Sequence, residues 1–269
     1  MDKTKLEQTA RSLRKGVMEM CIRAKTGHCT SSLSLTEIMT VLYFGGLLRC
    51  RPQEPEWEDR DRLFLSKGQA SPLLYVTLAK MGFFPEEELQ KFAQLGGMFG
   101  VHLQKSVPGV EITCGSLGQG FGLAAGGALA AKKNRKLQLY YAILGDGELY
   151  EGSIWETAMF ASHNHLNNLI AIIDRNHQCV TDFTENIVAL EPLEDRWKSF
   201  GWNTRRIDGH DIQAVYDALI DLRTRPAARP TVVIADTVKG KGVDFMECVP
   251  LWHGLAPAGK LGEQAIKQL

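Results

Sequence analysis

The chain has 269 residues, 44% of them apolar and 23% charged, with 31 basic and 31 acidic side chains. At this length roughly three quarters of the unfolded surface can be buried, so folding needs no disulfide or metal staple. A formal net charge of zero argues against a nucleic-acid binder, which wants a basic excess, and against a polybasic membrane anchor.

The first segment carries apolar residues at Leu6, Leu13, Val17, Cys21 and Ala24, a helical stripe. A turn, TGHCTSS, follows, after which Ser34 or Thr36 can cap a second helix through Phe44. Residues 50–62 are charged and contain prolines, which predicts a solvated connection. The second half changes character. Apolar runs at 139–144, 168–174, 202–208 and 231–236 alternate with helical patterns at 153–163, 193–200 and 211–223. Alternation of this kind predicts an α/β fold, a doubly wound, mainly parallel sheet with helices on both faces, and near-continuous apolar strands predict cover on each face. No repeat, low-complexity tract or linker interrupts residues 1–269, which predicts a single domain.

The six cysteines are scattered with no C-x-x-C pair, and the polar N-terminus is not a signal peptide. A disulfide framework and a zinc site are therefore not expected. The longest low-polarity stretch, 120–131, falls short of the ~20 residues of a bilayer span. The expectation is a soluble, cytoplasmic protein with no membrane partner.

Ligands of open parallel sheets bind outside the carboxyl ends of the strands. Gly145-Asp146-Gly147 follows the first of the four runs, Arg175-Asn176-His177 the second, and Lys239-Gly240-Lys241-Gly242 lies just past the last. Two glycines around an aspartate bring backbone N–H groups close to a ligand. Asp146 offers a carboxylate oxygen and Asn176, thirty residues on, a neutral carbonyl oxygen. With a backbone carbonyl they make a hard, all-oxygen set suited to Mg²⁺ and a diphosphate. Gly118-Gln119-Gly120-Phe121-Gly122 lacks the dinucleotide spacing, and the Lys239 loop lacks the Walker A pattern.

G-D-G followed about thirty residues later by Asn resembles the motif of thiamine diphosphate enzymes. The wider pattern is similar to the N-terminal, diphosphate-binding half of transketolases. It is carried by TGHCTSSLSLTEIMTVLYF, DRDRLFLSKGQASPLLY, PGVEITCGSLGQG, GDGELYEGSIWETAMFASHNHLNNLIAIIDRN and TVKGKGVDFMECVPLWHG, in family order from about residue 12 to 260. The resemblance implies that Asp146, Asn176 and the backbone carbonyl of Gln178 hold Mg²⁺ or Ca²⁺, and that Gly147 donates to the diphosphate. It places Ser31 and Gln69 at the thiamine diphosphate, Gly115, Ser116 and Leu117 along its aminopyrimidine side, and Lys239 and His253 in reach of it. It assigns His28 and His102 to proton shuttling at the sugar hydroxyls, work suited to imidazole near neutral pH. His163 and His165 read as surface residues, and His210, although its I-D-G-H-D context recurs in the family, is given no chemistry.

Two departures stand out. Gln69 occupies the histidine position of the family's S-K-G-H-A, and Cys29 replaces the usual proline. Gln hydrogen-bonds but does not titrate, so Gln69 is expected to mark a changed sugar or slower chemistry. The family's activating carboxylate and most sugar-phosphate contacts belong to a pyrimidine-binding domain. No second βαβ series follows the W-H-G of this chain. The expectation is the N-terminal subunit of a split transketolase, transferring a two-carbon ketol unit between sugar phosphates of the pentose phosphate type. It would be inactive without a pyrimidine-domain partner and paired with it as a heterotetramer. The alternatives are an alpha-type subunit of a 2-oxo-acid dehydrogenase and a non-catalytic paralogue.

Overall fold

A computed structural model describes residues 1–225 and 227–269. Helix α1 (Lys3–Ala24) starts where the Asp2 carboxylate accepts the Lys5 N–H at 3.0 Å, a side-chain cap. Its stripe of Leu6, Ala10, Leu13, Val17, Met20 and Cys21 is buried. The segment expected to be a plain turn winds into a short helix α2 (Cys29–Leu33), and α3 (Thr36–Phe44) follows at once. Neither Ser34 nor Thr36 caps α3, contrary to expectation. The Ser34 hydroxyl donates instead to Asp174 at 2.7 Å, and the Thr36 hydroxyl donates back to the Leu33 carbonyl at 3.1 Å.

Five parallel strands make one sheet in the order β1-β2-β3-β5-β4. They are β1 (Arg62–Leu65), β2 (Tyr140–Gly145), β3 (Leu169–Arg175), β4 (Asn203–Asp208) and β5 (Thr231–Asp236). Four were expected. The fifth, β1, is four residues long and continues a charged run, so its pattern was too short to stand out. The connection expected to be solvated ends buried. Arg60 and Asp61 are 8% and 2% exposed, and Asp61 accepts from the Arg49 and Leu139 N–H groups (both 2.9 Å) and from the Arg223 guanidinium (2.7 Å).

Strands β2, β3 and β5 are almost wholly buried, as helices on both faces require. The edge strand β4 departs from this. It mixes exposed and half-buried residues with none buried, and Arg206 pairs there with Asp236 and Glu191. Polar side chains on an edge discourage further strand pairing. One helical group consists of α5 (Gln119–Lys133), α6 (Gly152–His163) and α8 (Leu193–Ser199). It shares an aromatic cluster in which Phe121, Trp155, Trp197 and Trp202 meet at 5.0–6.0 Å between rings. The other is built on α1 and α3, packed with α4 (Ser71–Met81) and α9 (Ile212–Thr224). The short α7 (Thr184–Ile187) and the last helix α10 (Gly259–Gln268) complete the order. Among the described residues no helix is long and apolar enough to cross a membrane.

Register places the chemistry. Gly145 of β2 lies level with Asp174 of β3, and Asp174 with Ala235 of β5. One residue further, Asp146 leaves β2 beside the Arg175 end of β3, while Asn176 and Thr237 leave β3 and β5 at the same edge.

Candidate cofactor and catalytic site

At that edge the buried polar groups converge on Asp174, fully buried at the end of an otherwise apolar strand. It accepts from the Ser34 hydroxyl (2.7 Å), the Thr237 hydroxyl (2.5 Å), the Asn176 amide (2.9 Å) and the Lys67 ammonium. Burial works to raise its pKa, but the Lys67 charge and the bonds from Lys67, Thr237 and Ser34 outweigh it and hold the carboxyl below its usual range. An ionised Asp174 thus ties four chain segments together. Because the Asn176 Nδ2 donates to it, the amide oxygen of Asn176 faces the other way and accepts the Gln178 N–H at 3.1 Å.

Asp146 is 1% exposed. Its Oδ1 accepts the Gly147 N–H at 2.8 Å, and its Oδ2 accepts the His177 N–H at 2.5 Å and the Arg175 guanidinium at 3.2 Å. Burial and the neighbouring Asp174 charge push its carboxyl up to about 6 despite Arg175. His177 takes a left-handed backbone, φ 63°, a conformation uncommon outside glycine, and so turns the chain sharply between Asn176 and Gln178. A Cβ added at Gly147 would lie 2.9 Å from the Cys179 Cβ and 3.8 Å from the Gln178 carbonyl oxygen, so glycine is what lets these two turns meet. Glu148, also buried, accepts from Ser66 (2.5 Å) and from the Gly118 and Gly145 N–H groups (2.9 and 3.0 Å), which pins the G-S-L-G-Q-G segment to the G-D-G turn.

Three histidines stand over this floor. The His28 ring lies 5.3 Å from both the His102 and the His253 rings. The His253 Nδ1 is 2.8 Å from the Lys239 ammonium, which also donates to the Cys179 carbonyl at 3.2 Å. Burial first, then His102, Lys239 and Lys67, lower His28 to about 4, and burial first, then Lys239, His28 and Lys67, lower His253 to about 3. Both rings are therefore neutral at physiological pH. Burial and the Lys67 charge lower Lys239 to about 8.

The expected residues mostly come together. Ser31 is buried, and its carbonyl accepts from Lys67 at 3.1 Å. Gly115 sits against the His102 ring, 3.5 Å from the position a Cβ would take. Ser116 and the half-buried Leu117 lie on the exposed rim, and Gln69 is half-buried in the turn 68–70. Gly68 is required there, since a Cβ would stand 2.8 Å from the Cys114 carbonyl. His163 and His165 are exposed. Sequence reasoning missed Asp174, Lys67, Arg175 and Glu148. Their signal is charge inside motifs otherwise read for other residues: D-R before Asn176, K within S-K-G, E after G-D-G.

The donor set suits a hard cation and a diphosphate. Asp146, the Asn176 amide oxygen and the Gln178 carbonyl are all oxygens, and among the described residues no cluster of three His, Cys, Asp or Glu side chains forms a competing metal cage. The site is also polar beyond its own needs. The His28 Nδ1 and both amide atoms of Gln178 are buried without a partner, whereas buried polar groups are ordinarily paired.

Residues 5–269 match the family model described as transketolase, thiamine diphosphate binding domain. A 6-deoxy-6-sulfo-D-fructose transketolase subunit of a Clostridium species is 39% identical over 265 residues, covering 98% of this chain and 96% of the relative. An apulose-4-phosphate transketolase subunit of Phocaeicola vulgatus is 36% identical over 266 residues, covering 98% and 93%. Human transketolase is 36% identical over 98% of this chain, which spans only 42% of that protein. The crystal structure of transketolase from Campylobacter jejuni superposes with a TM-score of 0.92 at 34% identity, over 100% of this chain and 42% of that one. With the motifs, the sheet and the strand-end site in agreement, the chain belongs to the transketolase thiamine diphosphate binding domain family.

Proposed function

We propose that this chain is the N-terminal subunit of a split transketolase, an enzyme moving a two-carbon ketol unit from a ketose phosphate to an aldose phosphate. The observation that carries this is a cluster of three histidine rings, His102 and His253 each 5.3 Å from His28, joined through Lys239 to the Cys179 carbonyl of the strand-end turn. Two of them, His28 and His253, are held neutral. Asp146, Asn176 and the Gln178 carbonyl would hold Mg²⁺, or Ca²⁺ in its place, while Gly147 and Lys239 would take the diphosphate. Gln69, Ser31, Gly115, Ser116 and Leu117 would line the rest of the cofactor. Bound there, thiamine diphosphate supplies the carbanion stabilisation that ketol transfer requires.

The chain's own part is proton handling and orientation. His28, His102 and His253 accept and return protons at the hydroxyl and carbonyl oxygens of the sugar, and a neutral imidazole is the form able to accept. The Asp174 hub keeps the floor rigid beneath them, as precise orientation requires. Relatives of similar length are themselves named subunits, which supports a two-chain enzyme whose pyrimidine-binding partner completes the site. We propose two copies of each chain, and a cytoplasmic location in keeping with six free cysteines. The whole span, residues 1–269, is taken as one domain.

The test mixes the purified chain, Mg²⁺ and thiamine diphosphate with a pyrimidine-domain partner, and offers a ketose phosphate with an aldose phosphate. Turnover with the partner and none without it is expected. Turnover by the chain alone contradicts the two-chain enzyme. Reaction on 2-oxo acids in place of ketoses would point to a dehydrogenase subunit, and no turnover in any mixture to a non-catalytic paralogue.

A further inference from the structure

The loop that carries Lys239 is held from outside the site by His210, in the turn between β4 and α9. The His210 Nε2 accepts the backbone N–H of Val238 at 2.8 Å, and its Nδ1 lies 3.0 Å from Glu37 Oε2. A ring nitrogen that accepts carries no proton, so the proton of the neutral ring is on Nδ1 and is donated to Glu37. Glu37 is 6% exposed and bonded through both oxygens to the Arg14 guanidinium, at 2.5 and 2.6 Å. Burial works to raise its pKa, but the His210 bond and the Arg14 charge hold it below the usual carboxylate range. It therefore stays ionised and keeps the His210 ring in one tautomer.

Val238 immediately precedes Lys239. Its neighbours are anchored toward the site, Thr237 by its N–H to the Arg175 carbonyl (3.1 Å) and by its hydroxyl to Asp174 (2.5 Å), Gly240 by its N–H to the Thr30 carbonyl (3.2 Å). The Val238 anchor goes to a separate set of residues, through a chain running Arg14, Glu37, His210. We infer that His210 is a positioning residue for the cofactor's diphosphate. By fixing Val238 through Nε2 it sets the direction in which Lys239 leaves the backbone, and so the place of the ammonium between the Cys179 carbonyl and His253. The inference rests on the assignment of Lys239 to the diphosphate. It gives a role to a histidine that touches neither cofactor nor substrate.

Two substitutions separate the two ring nitrogens. His210→Asn places its amide where Nδ1 stands and serves Glu37 alone, whereas His210→Gln reaches the Nε2 position and can accept from Val238. The full chain, mixed with its pyrimidine-domain partner, is titrated calorimetrically with Mg²⁺ and thiamine diphosphate, and hydrogen exchange at the Val238 amide is followed without ligand. His210→Asn is expected to speed Val238 exchange and to raise the dissociation constant about tenfold, the scale of one lost hydrogen bond to a buried donor, with His210→Gln within about twofold of wild type. Equal affinity in all three proteins overturns the inference. So does the reverse order, tight Asn and weak Gln, which assigns His210 to Glu37 instead. A wild-type chain that binds no cofactor even with its partner brings down the functional reading, and Val238 exchange then decides separately whether His210 holds the loop.

Discussion

Two buried aspartates sit at opposite ends of the sheet, and their partners differ in kind. Asp61, just ahead of β1, is closed off by two arginines, Arg49 and Arg223, and by two backbone N–H groups. Nothing it holds leads toward the site. Asp174, at the carboxyl end of β3, is held by Ser34, Lys67, Asn176 and Thr237, and each of these lies within three residues of a proposed cofactor contact or is one itself. The same chemistry, a desolvated carboxylate satisfied by several donors, therefore ties down a connection in one place and organises a reaction site in the other. Position relative to the strand ends makes the difference.

The strongest response should come from the residue that touches the cation. Asp146→Ala should weaken binding of Mg²⁺ with thiamine diphosphate at least about 100-fold, beyond the range typical of outer-shell losses, as read by calorimetric titration. A pair of variants then sets the two aspartates against each other. Asp174→Ala should cost about 3–5 kcal/mol of stability because it leaves the buried Lys67 ammonium unpaired, and Asp61→Ala about 1–3 kcal/mol because it strands the Arg49 and Leu139 N–H groups while both arginines keep access to water. Asp174→Ala alone should also weaken cofactor binding, by about 10–100-fold. Chemical denaturation reads the first effect and calorimetric titration the second. Equal losses of affinity in the two variants would show that the carboxyl-end hub has no special role.

A weaker dependence is expected on pH. Lys239 titrates near 8, so its ammonium is charged below that value and neutral above it. Affinity for the diphosphate should be flat from about pH 6.5 to 7.5, then fall by up to tenfold per pH unit above about 8 as the cation is lost. Affinity that stays level to about pH 9.5 would remove Lys239 from the diphosphate. The mildest change is assigned to Gln69. Gln69→His should change the ratio of kcat/KM between pentulose and hexulose phosphates by a few-fold, with the partner present, since it restores a titratable group without altering the floor. An unchanged rate and preference would leave the departure at Gln69 without consequence.

Much of this was legible in the sequence because strand-end motifs combine a rigid spacing with unusual residues. Gly145-Asp146-Gly147 and Asn176 were found from residue type and separation, and register then placed them side by side. The alternation of apolar runs with helical patterns was enough for a parallel sheet and for four of its strands. What stayed hidden depends on contacts between distant segments. Asp174 reads as the ordinary polar end of a strand until Ser34, 140 residues away along the chain, is seen to bond to it. Ser34 and Thr36 read as helix caps because local rules favour that use of a hydroxyl, and the Asp174 carboxylate outcompetes the helix end for the first of them. Strand β1 is masked by its charged lead-in, whose ends, Arg60 and Asp61, read as solvated surface although both are buried.

Every role proposed for the site depends on this chain holding a metal and thiamine diphosphate by its own strand-end oxygens. Calorimetric titration with thiamine diphosphate measures this, on the wild-type chain and on Asp146→Ala, each mixed with the pyrimidine-domain partner, with Mg²⁺ and with the metal chelated. With the partner present, one cofactor should bind per wild-type chain, only when Mg²⁺ is present, and Asp146→Ala should bind at least about 100-fold more weakly. Binding that ignores the metal, or that survives intact in Asp146→Ala, would contradict the assignment.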